Sequence, residues 1–214
     1  MSKLKVRGEV HPFKNQVISW VGDCPWTDTL GFGTESGHFL SHPKNESEGV
    51  FENVEVAHDS INAVAFSENI ATFTSRSSIF VAKQETKNSI GVTRLLSNDC
   101  GAHGVISAIS GEFLLPLGPS GIMVIRHEVK DDSISSGILQ LADHPLNAYR
   151  MSSVGKENEK EVFALAARKQ GVFAFSYAGK YSISNAVGHH FDGYDIVDVC
   201  PVNMPEFPRG VLGL

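Results

Sequence analysis

The stretch Ala57-His-Asp-Ser-Ile-Asn-Ala-Val-Ala-Phe66 contains the pattern on which the rest of the chain is built. In this stretch, a histidine comes just before a short run of apolar residues. Three more segments follow in order: Ile70–Thr74, Ile79–Ala82 and the more polar Ile90–Leu96. Short runs rich in Val, Ile, Phe and Thr, divided by Gly and Ser, are typical of strands joined by hairpins. The unit therefore predicts four antiparallel β-strands.

The same order of segments begins four times along the chain, after His11, His58, His103 and His144. The steps between these histidines are 47, 45 and 41 residues, and a fifth unit opens 48 residues later at Asp192. A period in the forties is typical of the four-stranded blades of a β-propeller. We therefore predict an all-β propeller of four-stranded antiparallel blades, as a single domain over residues 1–214. It would have four complete blades and part of a fifth, in units of about 11–57, 58–102, 103–143, 144–191 and 192–214.

Polarity changes in the same direction along each unit, from apolar first segments to a polar last one. This gradient predicts inner strands that are sandwiched between neighbouring blades and a fourth strand at the rim. The charged stretch Lys156–Glu161 is too short for more than one helical turn and predicts a loop. We expect the innermost strands at Val17–Val21, Ile61–Phe66, Val105–Ile109, Leu146–Met151 and Ile196–Cys200.

These units resemble the WD40-like β-propeller repeat, which carries Gly-His before its innermost strand and ends its third strand with Trp-Asp. The histidine is kept and the glycine replaced in Val10-His11, Ala57-His58, Ala102-His103 and Asp143-His144. In place of Trp-Asp the chain has Val81-Ala82, Ile125-Arg126 and Phe175-Ser176. The resemblance spans almost the whole chain. It implies a non-enzymatic scaffold that mediates protein–protein interaction as part of a larger assembly.

The fifth unit contains only two strand-like segments, Ile196–Cys200 and Gly210–Leu214, which correspond to a first and a second strand. The N-terminal segment Lys3–Val10 is a candidate for a ring-closing fourth strand. Because a third strand is missing, we expect an incomplete ring. It would be the N-terminal part of a larger propeller, or be completed by a second copy or by another chain. A closed five-bladed ring with one irregular blade is the alternative.

Bulk composition agrees with a turn-rich β-protein, since 42% of the residues are hydrophobic and there are 20 glycines and 9 prolines. The formal net charge of −6, without a cluster of Lys and Arg, argues against nucleic acid as a partner. No apolar stretch approaches the roughly 18 residues of a membrane span, and no apolar region follows the charged N-terminus. Cys24, Cys100 and Cys200 are odd in number and far apart, so we expect reduced thiols in the cytoplasm or nucleus.

Catalytic and cofactor motifs are absent from the sequence: it has no phosphate loop, nucleophile elbow, H-E-x-x-H or C-x-x-C. We therefore expect no catalytic residues, no cofactor and no metal. Gly31-Phe-Gly33 predicts a strand, because no helix follows as in a dinucleotide loop. His189-His190 with Asp192 has suitable metal ligands, but adjacent strand residues point to opposite faces, so a solvated loop is expected. The repeat histidines predict one structural hydrogen bond in each blade.

One face of a propeller collects the segments that lead into the first strands and the turns between the second and third strands. The mixed charges expected on this face suit a protein or peptide partner better than a polyanion. The candidate partner-binding residues are Asn15, Asp59, His103 and Pro145 in the lead-in segments, and Glu35, Arg76, Pro119 and Lys169 in the turns.

Two tryptophans have different expected roles. Trp20 lies in an innermost strand and is expected to pack between blades, whereas Trp26 lies in an inserted loop. An exposed aromatic side chain in a loop anchors a partner or folds back over a blade edge, and the sequence leaves both open for Trp26. The longer loop over Val154–Lys160, on the opposite face, is a further candidate contact.

A propeller enzyme of the hydrolase or lyase type is the alternative to a scaffold. Its site would lie at the channel mouth and would need the missing blades to supply part of it. Fold by itself does not decide between the two, because propellers host both functions.

Overall fold

Every regular element in the described part of the chain is a β-strand, eighteen in all. The computed structural model describes residues 16–26, 29–43, 52–68, 70–86, 89–97, 102, 104–108, 111–128, 132–141, 146–204 and 207–213. Within these ranges there is no helix that could span a membrane. The predicted ring-closing strand at Lys3–Val10 lies outside the described residues and stays a prediction.

Each of the first two blades is a four-stranded antiparallel sheet whose strands follow one another in sequence order. Neighbouring strands are joined by short connections, as expected from the apolar runs and turn residues of each unit. Blade 1 consists of β1 (Ile18–Cys24), β2 (Thr29–Thr34), β3 (His38–Pro43) and β4 (Glu52–Glu55). Blade 2 consists of β5 (Ile61–Phe66), β6 (Ile70–Ser75), β7 (Ser78–Thr86) and β8 (Ser89–Ser97).

Blades 3 and 4 have the same topology, and a fifth sheet has two described strands. Blade 3 consists of β9 (Ile106–Ser107), β10 (Glu112–Pro116), β11 (Ile122–Glu128) and β12 (Ser133–Leu139). Blade 4 consists of β13 (Arg150–Glu157), β14 (Lys160–Ala166), β15 (Val172–Tyr177) and β16 (Ile183–His189). Blade 5 consists of β17 (Val199–Met204) and β18 (Phe207–Gly213). The predicted all-β propeller of four full blades and two further strands is confirmed.

The predicted gradient is confirmed for the second and fourth strands, whereas the first strands β1 and β13 have more exposed than buried positions. The second strands β6 and β10 are buried along their whole length. The fourth strands β12 and β16 are exposed at most positions. This difference arises because a second strand lies between neighbouring blades, whereas a fourth strand faces solvent at the rim.

Blade 4 differs from the prediction in two places. Its first strand was expected at Leu146–Met151, but β13 begins at Arg150, and the preceding residues form a lead-in segment. The expected loop at Lys156–Glu161 was wrong, because β13 and β14 continue through it and pair Lys156 with Glu161. A turn of two residues with positive φ, Asn158 and Glu159, replaces the loop. Charge misled the sequence prediction, since exposed hairpin ends carry charged residues as readily as loops do.

The boundary between blades 4 and 5 also needed correction. His189 was expected in a solvated loop but is the last residue of β16. The first strand of blade 5 was expected at Ile196–Cys200, whereas β17 begins at Val199. Ile196 instead forms an isolated bridge with Arg168 of the preceding blade. Its apolar side chain is buried, which explains why the sequence pattern included it in a strand.

Four hydrophobic clusters hold successive blades together, one at each junction. Large apolar side chains contribute about 1.5–3 kcal/mol each when fully buried, so these clusters dominate the stability of the ring. Examples of buried members are Phe39 and Phe73 between blades 1 and 2, Leu115 and Val81 between blades 2 and 3, Phe163 and Leu114 between blades 3 and 4, and Ile196 and Ala164 between blades 4 and 5.

The first strands also bond to one another around the central channel. Ser19 in β1 donates a side-chain hydrogen bond to the carbonyl of Ile61 in β5, at 2.7 Å. Ser152 in β13 donates the same kind of bond to Val199 in β17, at 2.8 Å. These short serine side chains therefore link blade 1 to blade 2 and blade 4 to blade 5.

Glycines in β2 allow large aromatic rings to fill the junction between blades 1 and 2. A Cβ atom on Gly31 would lie 2.8 Å from Cζ of Phe39. Phe39 in turn packs against Trp20, with ring centroids 6.3 Å apart. Gly31-Phe-Gly33 is thus part of a strand, as predicted, and Trp20 packs between blades, as predicted.

A buried carboxylate joins blades 3 and 4 at the end of the sheets away from the β10–β11 turn. Glu112, only 1% exposed, accepts a hydrogen bond from the hydroxyl of Tyr177 and another from the backbone N–H of Lys180. Arg126 approaches the same carboxylate at 3.5 Å. Burial, together with the hydrogen bond to Glu112, raises the pKa of Tyr177. A buried carboxylate needs such partners, because its desolvation is otherwise costly.

We predict that Gly31→Ala destabilises the protein by about 1–3 kcal/mol, because the added methyl group overlaps the ring of Phe39. Thermal unfolding followed by circular dichroism measures the effect. Gly104→Ala is the matched control, since the nearest atoms lie 3.9 Å from its added Cβ. Equal melting temperatures for the two variants would contradict close packing at Gly31.

We also predict that stability falls as the pH rises above about 10, the ordinary pKa of tyrosine. The pKa of Tyr177 is raised in the folded state. The stabilisation of the folded state by the protonated tyrosine is therefore fully present below about pH 10 and is lost as the pH rises and Tyr177 loses its proton. Melting temperatures measured from about pH 8 to 11 should decline less steeply in Tyr177→Phe than in the wild type. Tyr194→Phe, at an exposed tyrosine, is the control. If the melting temperature of Tyr177→Phe falls as steeply with pH as that of the wild type, Tyr177 is not the group whose deprotonation lowers stability.

Candidate functional site

Backbone hydrogen bonds join the turn of one blade to the lead-in segment of the next blade. The carbonyl of Gly37, in the β2–β3 turn, accepts from the N–H groups of Val56 and Ala57. Gly118, in the β10–β11 turn, and Ala148 exchange two hydrogen bonds, of 2.6 and 2.8 Å. These contacts bring the turns and the lead-in segments to one face, as predicted. We call it the top face.

The turns of blades 3 and 4 have the same backbone geometry. In Leu117–Gly121 and in Ala167–Gly171, the first N–H donates to the carbonyl of the last glycine at 2.8 Å. The second residue is left-handed in both turns, with φ of 57° at Gly118 and 54° at Arg168. A non-glycine residue in this region costs about 1–2 kcal/mol. Arg168 therefore occupies a position that favours glycine.

The side chain of Arg168 is held in place from two sides. Its Nη2 atom lies 3.2 Å from Oδ2 of Asp195, in the lead-in segment of blade 5. Its guanidinium carbon lies 4.8 Å from the ring centroid of Tyr149, in the lead-in segment of blade 4. Its backbone N–H and carbonyl bond to Ile196 at 3.1 and 3.2 Å. Arg168 thus contacts residues that belong to two different lead-in segments.

A cleft of about 400 Å³ opens beside Arg168 on the top face. One of its edges is closed by a 2.6 Å hydrogen bond from the backbone N–H of Asn147 to the side-chain oxygen of Gln170. Three blades contribute to it, through residues Pro119, Asn147, Ala167, Arg168, Lys169, Gln170 and Asp195.

The lining of the cleft carries a net positive charge. The lining contains two cations, Arg168 and Lys169, and one anion, Asp195, so its formal charge is +1. The whole chain has a formal charge of −6. The cleft is therefore a local positive site on an acidic protein, and such a contrast favours an acidic ligand group.

Two of the predicted partner-binding residues meet in this cleft. Pro119 comes from the turn of blade 3 and Lys169 from the turn of blade 4. Glu35 and Asp59 flank another junction, where the blade 1 turn contacts the lead-in segment of blade 2. Arg76 is exposed in the β6–β7 turn. Asn15, His103 and Pro145 lie outside the described residues.

Asp59 has an unusual environment among these residues. One of its carboxylate oxygens is buried and has no hydrogen-bond partner in the described structure. A buried polar atom without a partner costs roughly 1–3 kcal/mol.

Trp26 folds back over the next blade, which is one of the two arrangements that the sequence left open. Its indole N–H donates to the carbonyl of Ser67 at 2.9 Å. Its ring contacts Phe66 edge-on, with centroids 5.1 Å apart. Both partners belong to blade 2, so Trp26 covers a blade edge.

Among the four repeat histidines, the structure describes only His58, so the predicted structural hydrogen bond in each blade stays a prediction. His58, one of the four repeat histidines, has a side chain that is 97% exposed and contacts Glu55 at 3.2 Å. His190 pairs with Asp192 at 3.1 Å, on the surface. In the ranges that the structure describes, no three His, Cys, Asp or Glu side chains are grouped as metal ligands. The other repeat histidines lie outside those ranges.

A second, smaller space lies at the central channel. Its volume is about 170 Å³, and the first strands of blades 1 to 4 all border it. Its single charged lining residue is Arg150 at the start of β13. Because this space is less than half the volume of the top-face cleft, the top-face cleft is the stronger candidate for a binding site.

Sequence reasoning missed Arg168, Tyr149, Asn147 and Asp195. The sequence did contain one signal for Arg168. When Leu117–Gly121 is aligned with Ala167–Gly171, the blade 4 turn has Arg168 at the position where the blade 3 turn has Gly118. No comparable signal marked the other three residues, because Asn147 and Tyr149 meet Gln170 and Arg168 only once blade 4 has folded, and Asp195 meets Arg168 only once blade 5 has packed against it.

Comparison with protein-family models and with curated proteins found no match. Among solved structures, the chain is similar to BBS1N in complex with ARL6DN, with a TM-score of 0.62 and 14% identity over 93% of this chain. It is similar to the Cps50 (Swd1) β-propeller domain of Myceliophteria_thermophila, with a TM-score of 0.62 and 11% identity over 93%. A third similar structure is the Pan2 WD40 domain of Neurospora crassa, with a TM-score of 0.57 and 14% identity over 88%.

These likenesses show the fold, which is that of a WD40-like β-propeller, as the sequence predicted. The chain spans 62%, 64% and 54% of the length of the three similar chains. The structures that it resembles thus extend beyond the region that matches this chain.

Proposed function

We propose that this chain is a non-enzymatic scaffold whose top face binds a protein or peptide partner within a larger assembly. The observation that carries the proposal is the cleft at which blades 3, 4 and 5 meet, lined by Pro119, Lys169 and the anchored Arg168. The cleft is rigid, because backbone hydrogen bonds hold both of the turns that border it. A rigid, preorganised surface loses little entropy on binding.

The size of the cleft suits an anchoring site within a broader contact. A stable protein interface buries about 800 Å² on each partner, more than a cleft of this kind supplies alone. Charged turn residues around the top face, such as Glu35 and Arg76, would add polar contacts at the rim. One similar propeller, BBS1N, is described in complex with ARL6DN, which is consistent with a protein partner.

The lining of the cleft favours binding over catalysis. Its only carboxylate, Asp195, is paired with Arg168. A general acid–base mechanism needs groups that exchange protons near neutral pH, and the remaining ionisable group of the cleft is the ammonium of Lys169.

We also propose that the protein is located in the cytoplasm or nucleus, because its cysteines are few, odd in number and widely spaced.

The proposal extends to the edge of blade 5. Within the described residues, β18 pairs with β17 on one side only, which leaves a strand edge that accepts another strand. Residues 3–10, further residues of a larger propeller, a second copy of the chain and another chain are the candidate donors. The native mass measured by light scattering separates an internal strand from a second polypeptide.

We predict that Lys169→Glu weakens capture of the partner at least tenfold, because it reverses the charge of the cleft. The chain is used as bait in quantitative affinity purification. Lys156→Glu makes the same charge change at the exposed β13–β14 hairpin, the other candidate contact, at the opposite end of blade 4, so loss of the partner in this variant alone would assign the contact to that hairpin. A partner enriched by wild type and by Lys156→Glu but not by Lys169→Glu supports the proposal. A partner retained equally by both variants would overturn the assignment to this cleft.

A further inference from the structure

The turn of blade 4 carries an arginine where backbone conformation favours glycine. The turn of blade 3 shows the glycine alternative directly, because Gly118 has the same left-handed conformation and the same turn hydrogen bonds. Gly118 also exchanges two backbone hydrogen bonds with the next lead-in segment, as Arg168 does. Glycine at this position would therefore form the same backbone conformation and hydrogen bonds as Arg168. What the blade 4 turn has in addition to the blade 3 turn is the guanidinium side chain.

The guanidinium of Arg168 has capacity to bind a second anion. A guanidinium has five N–H donors. Nη2 faces Asp195, and the plane is held over Tyr149, while the side chain stays 35% exposed at the cleft. A stacked, ion-paired arginine has already lost most of its conformational freedom. It can therefore bind a planar carboxylate with little further ordering.

Lys169 supplies a second positive charge to the same cleft. It is exposed, and it follows Arg168 directly in the turn. Asp195 is the one acidic residue of the lining, so the pair of cations is only half neutralised. An incoming carboxylate would bring the formal charge of the site from +1 to zero. A cleft of about 400 Å³ has room for a side chain and the adjoining backbone of a peptide.

We propose that the cleft recognises an acidic side chain, Asp or Glu, of a peptide segment in the partner, through Arg168 and Lys169. This inference rests on the proposed function and specifies the chemistry of the same site. The guanidinium donates hydrogen bonds to the carboxylate, and the ammonium of Lys169 adds a longer-range attraction that salt screens.

The test uses a labelled peptide of Gly and Ser with two central Glu residues, and a second peptide with Gln in their place. Binding to the full chain is followed by fluorescence anisotropy at about 50 and 300 mM salt. We expect the Glu peptide to bind at least tenfold more tightly than the Gln peptide, and less tightly at the higher salt. Equal binding of the two peptides would overturn the proposal.

Three variants separate recognition from folding. Arg168→Gly and Lys169→Glu should each weaken binding of the Glu peptide at least tenfold, whereas Lys156→Glu should leave it unchanged. Arg168→Gly is expected to keep the fold, because glycine already occupies the equivalent position in blade 3. An unchanged far-ultraviolet spectrum together with lost binding supports a recognition role. Retained binding in Arg168→Gly would overturn it.

The outcomes also distinguish this inference from the proposed function. If Lys169→Glu loses the captured partner but the wild type does not prefer Glu over Gln, the scaffold function stands and acidic recognition fails. If the Glu peptide binds as expected but Lys169→Glu captures as much partner as the wild type does, acidic recognition by the cleft stands. The partner then binds another surface, and the proposed function of the cleft fails. A peptide with phosphoserine in place of Glu that binds at least tenfold more tightly than the Glu peptide would overturn the carboxylate in favour of a phosphate.

Discussion

The backbone hydrogen bonds between the turn of one blade and the lead-in segment of the next determine how the blades sit relative to one another. Gly118 with Ala148, and Arg168 with Ile196, are two examples of the same two-bond bridge. Each bridge satisfies buried backbone groups that could not reach water, so its loss would be costly. The bridges therefore fix the top face, and the cleft exists only because two successive bridges lie side by side.

Side-chain packing reinforces this arrangement from below. One hydrophobic cluster fills each of the four junctions, and the link from Tyr177 to Glu112 closes the junction of blades 3 and 4 at the end opposite the turns. A junction held at its top, middle and bottom does not hinge easily. This rigidity suits a surface that binds a partner without rearranging.

The turns of blades 3 and 4 share one backbone geometry but differ at one position that matters for binding. Blade 3 uses glycine at the left-handed position, and blade 4 uses Arg168 with φ of 54°. The side chain of Arg168 connects Asp195 and Tyr149, and with Lys169 it makes the cleft positive on a chain of formal charge −6. The one difference between these two turns thus lies at the positively charged cleft.

The sequence by itself determined the all-β propeller, the succession of blades and the turns that carry Pro119 and Lys169. It could do so because short apolar runs, turn residues and a period in the forties can be recognised along the chain itself. The start of β13, the hairpin at Asn158 and the position of Trp26 were decided by contacts with neighbouring strands and blades. The cleft was decided by tertiary structure alone, because Arg168, Tyr149 and Asp195 come from three separate segments. Strand pairing within blade 4 brings Tyr149 to Arg168, and the packing of blade 5 against blade 4 brings Asp195 within ion-pairing distance.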